Sequence, residues 1–414
     1  KKNYFIFFAL LAGFPLFFIP NNWDGTIFAY GFLTENIEGI ETWYKESSSN
    51  FQLIIVYILF FFKKLLNIHH EILFDFFTIA TLILFSFEVK KYSEIFFLLE
   101  NKWSNFCAII TCTFPVWHVL SSFNLALYLF CFYLALFGFR LSFSRKIIEK
   151  ITGIFLILFS FSIKSNFSFV IGLSIAYIFN RYFDKKYKKS NYLFVIVLLS
   201  VSAYFFNNTF FPPYGIYEGY NQLDFRSINI LEIIKNTYNY FTFFFFFLWI
   251  PILCISLAKF TKKKSLIKKI IFDRNYLFIL IIFLASIAPY VLVGKSSDLL
   301  FFSDHVSRHA FLISVSFSLF FSIIFKNLSK SSISKKLISF SMTLVILQNL
   351  FLLSLGQYDK IESAIFKHNF VSKLKNIDKL PEGNVLIFSK NKIIYRPYEI
   401  NYLFFQAYGK AAWW

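Results

Sequence analysis

Apolar runs approaching the roughly 20 residues that a helix needs to cross about 30 Å of hydrocarbon recur along this chain. Tyr4 to Pro20, Tyr192 to Phe206, Tyr276 to Val293 and Leu337 to Leu355 are the clearest. A backbone in lipid must satisfy its own polar groups, so such runs fold as helices. The expectation is an all-α polytopic membrane protein with about 10–12 transmembrane helices. Composition agrees: 57% hydrophobic and 23% aromatic residues, with a mean hydropathy of +0.60, lie outside the soluble range.

The bias needs a separate reading from function. The chain has 64 Phe and favours Lys, Asn and Ile over Arg, Ala and Met. That pattern matches an AT-rich coding bias, so Phe stripes read as lipid-facing filler. A net charge of +19 would point to nucleic acid in a soluble domain. Here the basic residues concentrate in connectors between apolar runs, as the positive-inside rule requires, and nucleic-acid binding is set aside. Cys107, Cys112, Cys131 and Cys254 fall inside apolar runs without metal-ligand spacing, so they read as small core residues.

Orientation follows from the basic clusters. Arg140 to Lys150, Arg181 to Lys189, Lys259 to Arg274 and Lys326 to Lys336 are assigned to the cytoplasm. The intervening connectors then face outward: Asn21 to Asn50, a short turn near Lys164, Asn207 to Tyr238, Gly294 to His309, and everything after Leu355. One stretch breaks the parity. An odd number of crossings is needed between Phe51 and Phe139, yet four runs are visible: Phe51 to Leu66, Ile72 to Phe87, Asn105 to Val119 and Phe123 to Phe139. Either Tyr92 to Glu100 also enters the membrane, or one run does not cross.

Two units are expected. Residues 1–355 form the membrane domain, opened by an uncleaved anchor, since no small-residue cleavage site follows Pro20. Residues 356–414 form a small external α/β segment, in which turn signals alternate with short apolar runs such as Val385 to Phe388.

Chemistry-bearing residues lie in the outward connectors. Asp24 stands four residues beyond the first run, placed to act as a general base for a hydroxyl; a solvated loop acid or a helix cap is the alternative. Glu35, Glu38 and Glu41 are three apart and suited to one helical face, either as substrate contacts or simply solvated. Lys164 is a lone cation on the side from which positive charge is normally excluded. It reads as a fixed cation for a phosphate or as a snorkelling lysine. Arg308 offers a forked grip on phosphate oxygens just before a span, with Lys295, Asp298, Asp304, His305 and His309 around it. Asp304, His305 and His309 are a conceivable metal set, but no ligand-rich partner loop accompanies them, and no metal or other cofactor is expected. The long loop adds Tyr214, Tyr217 and Arg226, with Glu218, Tyr220 and Asp224. Its tyrosines serve either as interfacial anchors or as platforms for sugar rings. No phosphate-binding glycine loop, serine elbow or HExxH motif occurs.

Taken together, Trp23-Asp24-Gly25 after the first span, Gly153 to Lys164 ending in a lysine turn, Ser307-Arg308-His309-Ala310-Phe311 opening a late span, and the external tail resemble the GT-C membrane glycosyltransferases. Relatives of that kind include the dolichyl-phosphate-mannose-protein mannosyltransferases and the aminoarabinose transferases. Arg308-His309 stands where many members have Arg-Tyr, and the first loop has one clear Asp rather than an acidic pair. The resemblance implies transfer of a sugar from a polyprenyl-phosphate donor to a glycan, lipid or protein acceptor at the outer face of a bacterial inner membrane. It implies Asp24 as base, Lys164, Arg308 and His309 at the donor phosphate, and Glu35, Glu38, Tyr214, Tyr217, Arg226, Lys295 and His305 as substrate contacts. Two rivals remain open. A polysaccharide polymerase or ligase would carry more external arginines, and a transporter or flippase would carry more intramembrane polar residues than Asn124, Asn166 and Gln348.

Overall fold

A computed structural model describes residues 4–183, 191–218, 229–259, 273–296, 305–330, 334–377 and 397–409. Among them every regular element is helical. In chain order the α-helices are α1 (Phe5–Gly13), α2 (Gly25–Thr34), α3 (Glu38–Glu46), α4 (Asn50–Leu66), α5 (His70–Phe96), α6 (Asn101–Cys112), α7 (Phe123–Leu141), α8 (Ile147–Ser160), α9 (Ser165–Phe183), α10 (Asn191–Phe210), α11 (Ile230–Lys259), α12 (Asn275–Val291), α13 (Ile313–Ser329), α14 (Lys335–Lys375) and α15 (Pro397–Tyr408). Single 3-10 segments occupy Phe14–Phe18, Pro115–Ser121, Gly215–Tyr217 and His305–Ala310. Among the described residues three helices are long and apolar enough to cross a membrane: α5, α7 and α14. Shorter apolar helices accompany them, among them α9, α12 and α13.

The bundle has two ends that named contacts identify. At one, Asn124 at the start of α7 meets Asp24. At the other, Arg140 near the end of α7 grips the carboxylate of Glu88 on α5 with two bonds of 2.7 and 2.9 Å. Glu88 is buried, and the fork geometry satisfies both of its oxygens, which is what a buried ion pair requires. Helices α5 and α7 therefore run in the same direction, with α6 returning between them.

This geometry shows which of the early apolar runs pass from one end of the bundle to the other. Ser49, the N-cap of α4, donates to the carbonyl of Ser162 at 3.3 Å, beside the Lys164 turn. At the other end of α4, Lys63 and Lys64 pair with Glu35, 2.9 and 3.6 Å away, just beyond α2. Both ends of α4 thus belong to the Asp24 end, and the run Phe51 to Leu66 is the one that does not pass between the ends. Tyr92 to Glu100 supplies no extra passage, because α5 continues unbroken through Phe96. The run Asn105 to Val119 is broken where α6 stops at Cys112 and Pro115 opens a 3-10 segment, as the restriction on the residue before proline dictates.

Packing is close where small residues meet. A Cβ at Gly138 of α7 would lie 2.6 Å from the carbonyl oxygen of Gly153 on α8, and one at Gly153 would lie 2.6 Å from that of Gly138. The two backbones touch, which is the usual reason for glycine at a crossing of apolar helices. Cys107, Cys112 and Cys131 are buried, unbridged core residues. The expected division at position 355 meets a continuous helix, since α14 runs through it for 41 residues. Of the segment after Leu355, expected to be α/β, the regular elements among the described residues are helical, and Val385 to Phe388 lie outside the described residues.

Candidate functional site

Asp24 is held by two helices distant from it in sequence, α7 and α15. It occupies the N-cap position of α2 but makes no capping bond, so the helix-cap alternative does not describe it. Its carboxylate instead accepts from the Asn124 amide at 3.4 Å and from the Tyr398 hydroxyl at 2.7 Å, the second donor lying at the start of α15. The turn before it is pinned as firmly. Asn21 donates to Glu71 at 2.8 Å and accepts the Phe123 N–H at 2.9 Å, and the Asn22 amide donates to the Ser121 hydroxyl at 3.0 Å. Trp23 adopts a left-handed backbone, φ 47°, which is uncommon for a bulky residue. Its N–H donates to Glu399 at 3.1 Å, and the Lys360 ammonium sits 4.1 Å from the centre of its ring. Glu399 is buried and also pairs with buried Lys367 at 3.2 Å.

Gly25 follows for a steric reason. A Cβ there would come within 2.6 Å of Asn21 Oδ1 and 3.0 Å of both the Phe123 nitrogen and Ser122 Oγ. Only glycine lets the turn seat against the start of α7, so Trp23-Asp24-Gly25 is a shape requirement as well as a carboxylate.

Lys164 closes the tight turn between α8 and α9, where the Asn166 amide donates to the Ser160 carbonyl at 2.9 Å. It is half-buried, and desolvation pulls its ammonium below the usual lysine range. The next residue, Ser165, accepts the Tyr290 hydroxyl at 3.1 Å, and the Tyr290 ring lies against His309 with centroids 4.8 Å apart. The Lys164 turn and the Arg308-His309 pair are therefore joined through one tyrosine. Arg308 acts electrostatically on the hydroxyls of Tyr290 and Tyr128, and Asp24 acts on Tyr128 as well. A carboxylate, two cations and the hydroxyls of Tyr128 and Tyr290 share the same end of the bundle. Behind them, His118 is fully buried, 3.5 Å from Ser307 Oγ and bonded at 2.9 Å to the Pro115 carbonyl.

Other expected contacts fall differently. Glu35, Glu38 and Glu41 do not share one helical face: Glu35 ends α2 in a left-handed conformation, while Glu38 and Glu41 open α3. Glu35 is committed to Lys63 and Lys64, which hold its carboxyl below the usual range, and Glu38 is exposed. Tyr217 reaches the Trp43 indole on α3 and contributes to the field at Tyr128, whereas Tyr214 is an exposed residue whose N–H bonds to the Glu46 carbonyl. Lys295 ends the turn after α12, its N–H donating to the Tyr290 carbonyl. Arg308 does not open an α-helix; it lies in the 3-10 segment, and α13 begins only at Ile313. Arg226, Asp298 and Asp304 lie outside the described residues, as does the side chain of His305. No group of three metal-ligating side chains occurs among the described residues.

Sequence reading missed Tyr398, Glu399, Tyr290 and Tyr128 as site residues. The tyrosines carry no distinguishing pattern in a chain with 24 of them. Pro397 at the first helical position did signal a helix start there, but nothing local tied that helix to Asp24. No family model, curated protein or solved structure matches the chain.

Proposed function

We propose that this chain is a polytopic membrane glycosyltransferase of the GT-C kind, using a polyprenyl-phosphate sugar at the outer face of a bacterial inner membrane. The observation that carries the reading is the convergence of Asp24 with Lys164 and Arg308 at one end of an apolar helical bundle. In this reading the bundle crosses the bilayer with its Arg140 end in the cytoplasm, and α4 lies at the outer surface.

Asp24 takes the proton from an acceptor hydroxyl. The freed oxygen forms a bond to the anomeric carbon as the bond from that carbon to the lipid phosphate breaks, with inversion. Lys164 and Arg308 offset the charge that grows on the departing phosphate, the general electrostatic strategy for such transition states. His309, packed at a tilt against the Tyr290 ring, holds the Arg308 segment against the Lys164 turn. A carboxylate that accepts two hydrogen bonds keeps its orientation toward the acceptor, as positioned bases require.

The test is binding of short-chain polyprenyl-phosphate sugars to the purified protein and to Arg308→Ala. Saturable binding to the wild type, weakened at least tenfold in the variant, supports the donor site; no binding across the panel overturns it and favours a transporter or polymerase. Asp24→Asn is expected to bind donor normally and to transfer nothing, and full transfer by that variant would remove Asp24 from the mechanism.

A further inference from the structure

Next to the Asp24 turn, α2, α14 and α15 enclose a half-open cavity of about 770 Å³. Its size falls among small-molecule sites, which occupy roughly 300–1,000 Å³. We propose that it binds an acidic oligosaccharide, the part of the acceptor distant from the reacting hydroxyl. The assignment rests on the glycosyl-transfer reading for its role, but the binding itself is independent of it.

Three features of the walls carry the class of ligand. First, the cavity faces water. At 1.5 Å per residue, the 41 residues of α14 extend about 60 Å, roughly twice the hydrocarbon thickness. Lys367, His368 and Lys375 line the cavity from the last turns of that helix, beyond the length that a bilayer covers. The occupant therefore arrives from the aqueous side and is not a lipid tail.

Second, the charge is unbalanced. Lys367 and Lys375 stand against Glu399 alone among the lining acids and lysines, and Glu399 already pairs with Lys367. Lys375 and His368 are exposed. An acidic group is held there by charge, as lysines hold carboxylates and phosphates.

Third, the remaining wall is mixed in the way a hydroxylated ring requires. Exposed Ser372 and Gln406 offer hydrogen-bonding groups and half-buried Phe405 offers aromatic surface, while Asn21 and Thr26 are buried with their side chains already bonded. Asn21 and Thr26 also flank Asp24, while Glu399 holds the Trp23 N–H and its neighbour Tyr398 holds the Asp24 carboxylate. The turn that carries Asp24 thus also supplies part of the cavity wall, so the cavity adjoins the mount of Asp24.

The experiment is calorimetric titration of the full-length protein in detergent with tetragalacturonate and with maltotetraose, a neutral chain of equal length. Lys375→Glu is compared with Lys330→Glu, the same charge change at the Arg140 end. The expected result is saturable binding of tetragalacturonate at least tenfold tighter than maltotetraose, weakened at least tenfold by Lys375→Glu and unaffected by Lys330→Glu. Equal affinity for the two sugars, equal losses in the two variants, or no saturable binding would each overturn the proposal. Donor binding measured on the same preparations separates the two readings. Donor bound without tetragalacturonate sinks the cavity assignment alone, whereas tetragalacturonate bound without donor leaves the cavity standing and removes the transfer reading.

Discussion

Replacing Glu399 by alanine removes at one stroke the acceptor of the Trp23 N–H, 3.1 Å away, and the partner of the Lys367 ammonium, 3.2 Å away. Both side chains of the ion pair are nearly inaccessible, 9% and 5% exposed. Breaking a buried pair from one side costs about 3–5 kcal/mol, because the remaining charge stays desolvated. At 1.36 kcal/mol per tenfold, that corresponds to a fall of roughly two to four orders of magnitude in the protection of amides that depend on the contact. Hydrogen exchange followed by mass spectrometry reads this directly, since the Trp23 amide proton is itself the one donated. Peptides covering residues 21–30 and α15 are expected to lose protection together, while a peptide within α7 beyond Asn124 keeps its own. Glu399→Gln preserves an acceptor for Trp23 and loses the charge, so its effect falls between. Unchanged protection at residues 21–30 in Glu399→Ala would refute the idea that the C-terminal helix holds the Asp24 turn.

Gly25→Ala forces a Cβ against the Phe123 backbone nitrogen and Asn21, neither of which yields easily; a destabilisation of about 1–3 kcal/mol is expected by thermal or denaturant unfolding, and a neutral variant would contradict the close approach. Gly356→Ala places a Cβ 2.5 Å from His118 Cγ. A similar loss of about 1–3 kcal/mol is expected, and it should shrink when His118 is reduced to Ser. For Lys164, burial lowers the ammonium pKa in the folded protein, so the unfolded chain binds that proton more tightly. The cost is fully present below the folded pKa and fades as pH rises from the folded toward the unfolded value. Lys164→Met should therefore raise the melting temperature at neutral pH and raise it less in alkaline buffer; a lower melting temperature at pH 7 would show that the ammonium is stabilised in place.

The apolar runs and the basic connectors were readable as such because lipid solvation and charge placement act on local sequence. They led to a helical chain, to the turn at Lys164, and to Asp24 and Arg308 as residues worth locating. The run Phe51 to Leu66 shows the limit of that reading. Its hydropathy matches a crossing helix, yet Ser49 and Lys63 tie both of its ends to one side, and no property of the run itself encodes those partners. The glutamates at positions 35, 38 and 41 failed for a related reason: equal spacing predicts a shared face only within one helix, and a left-handed residue at Glu35 separates two.

Sequence by itself determined that the chain folds into apolar helices and which charges were worth locating, since hydropathy and charge placement are properties of short segments. Tertiary structure alone decided what surrounds Asp24. Tyr398 and Glu399 lie some 375 residues along the chain from the turn they grip, and Tyr290 joins Ser165 to His309 across three helical segments. Such contacts depend on how the helices cross, which is fixed by close approaches like Gly138 on Gly153 and by the sum of many weak packing terms, none of which is written in any one segment.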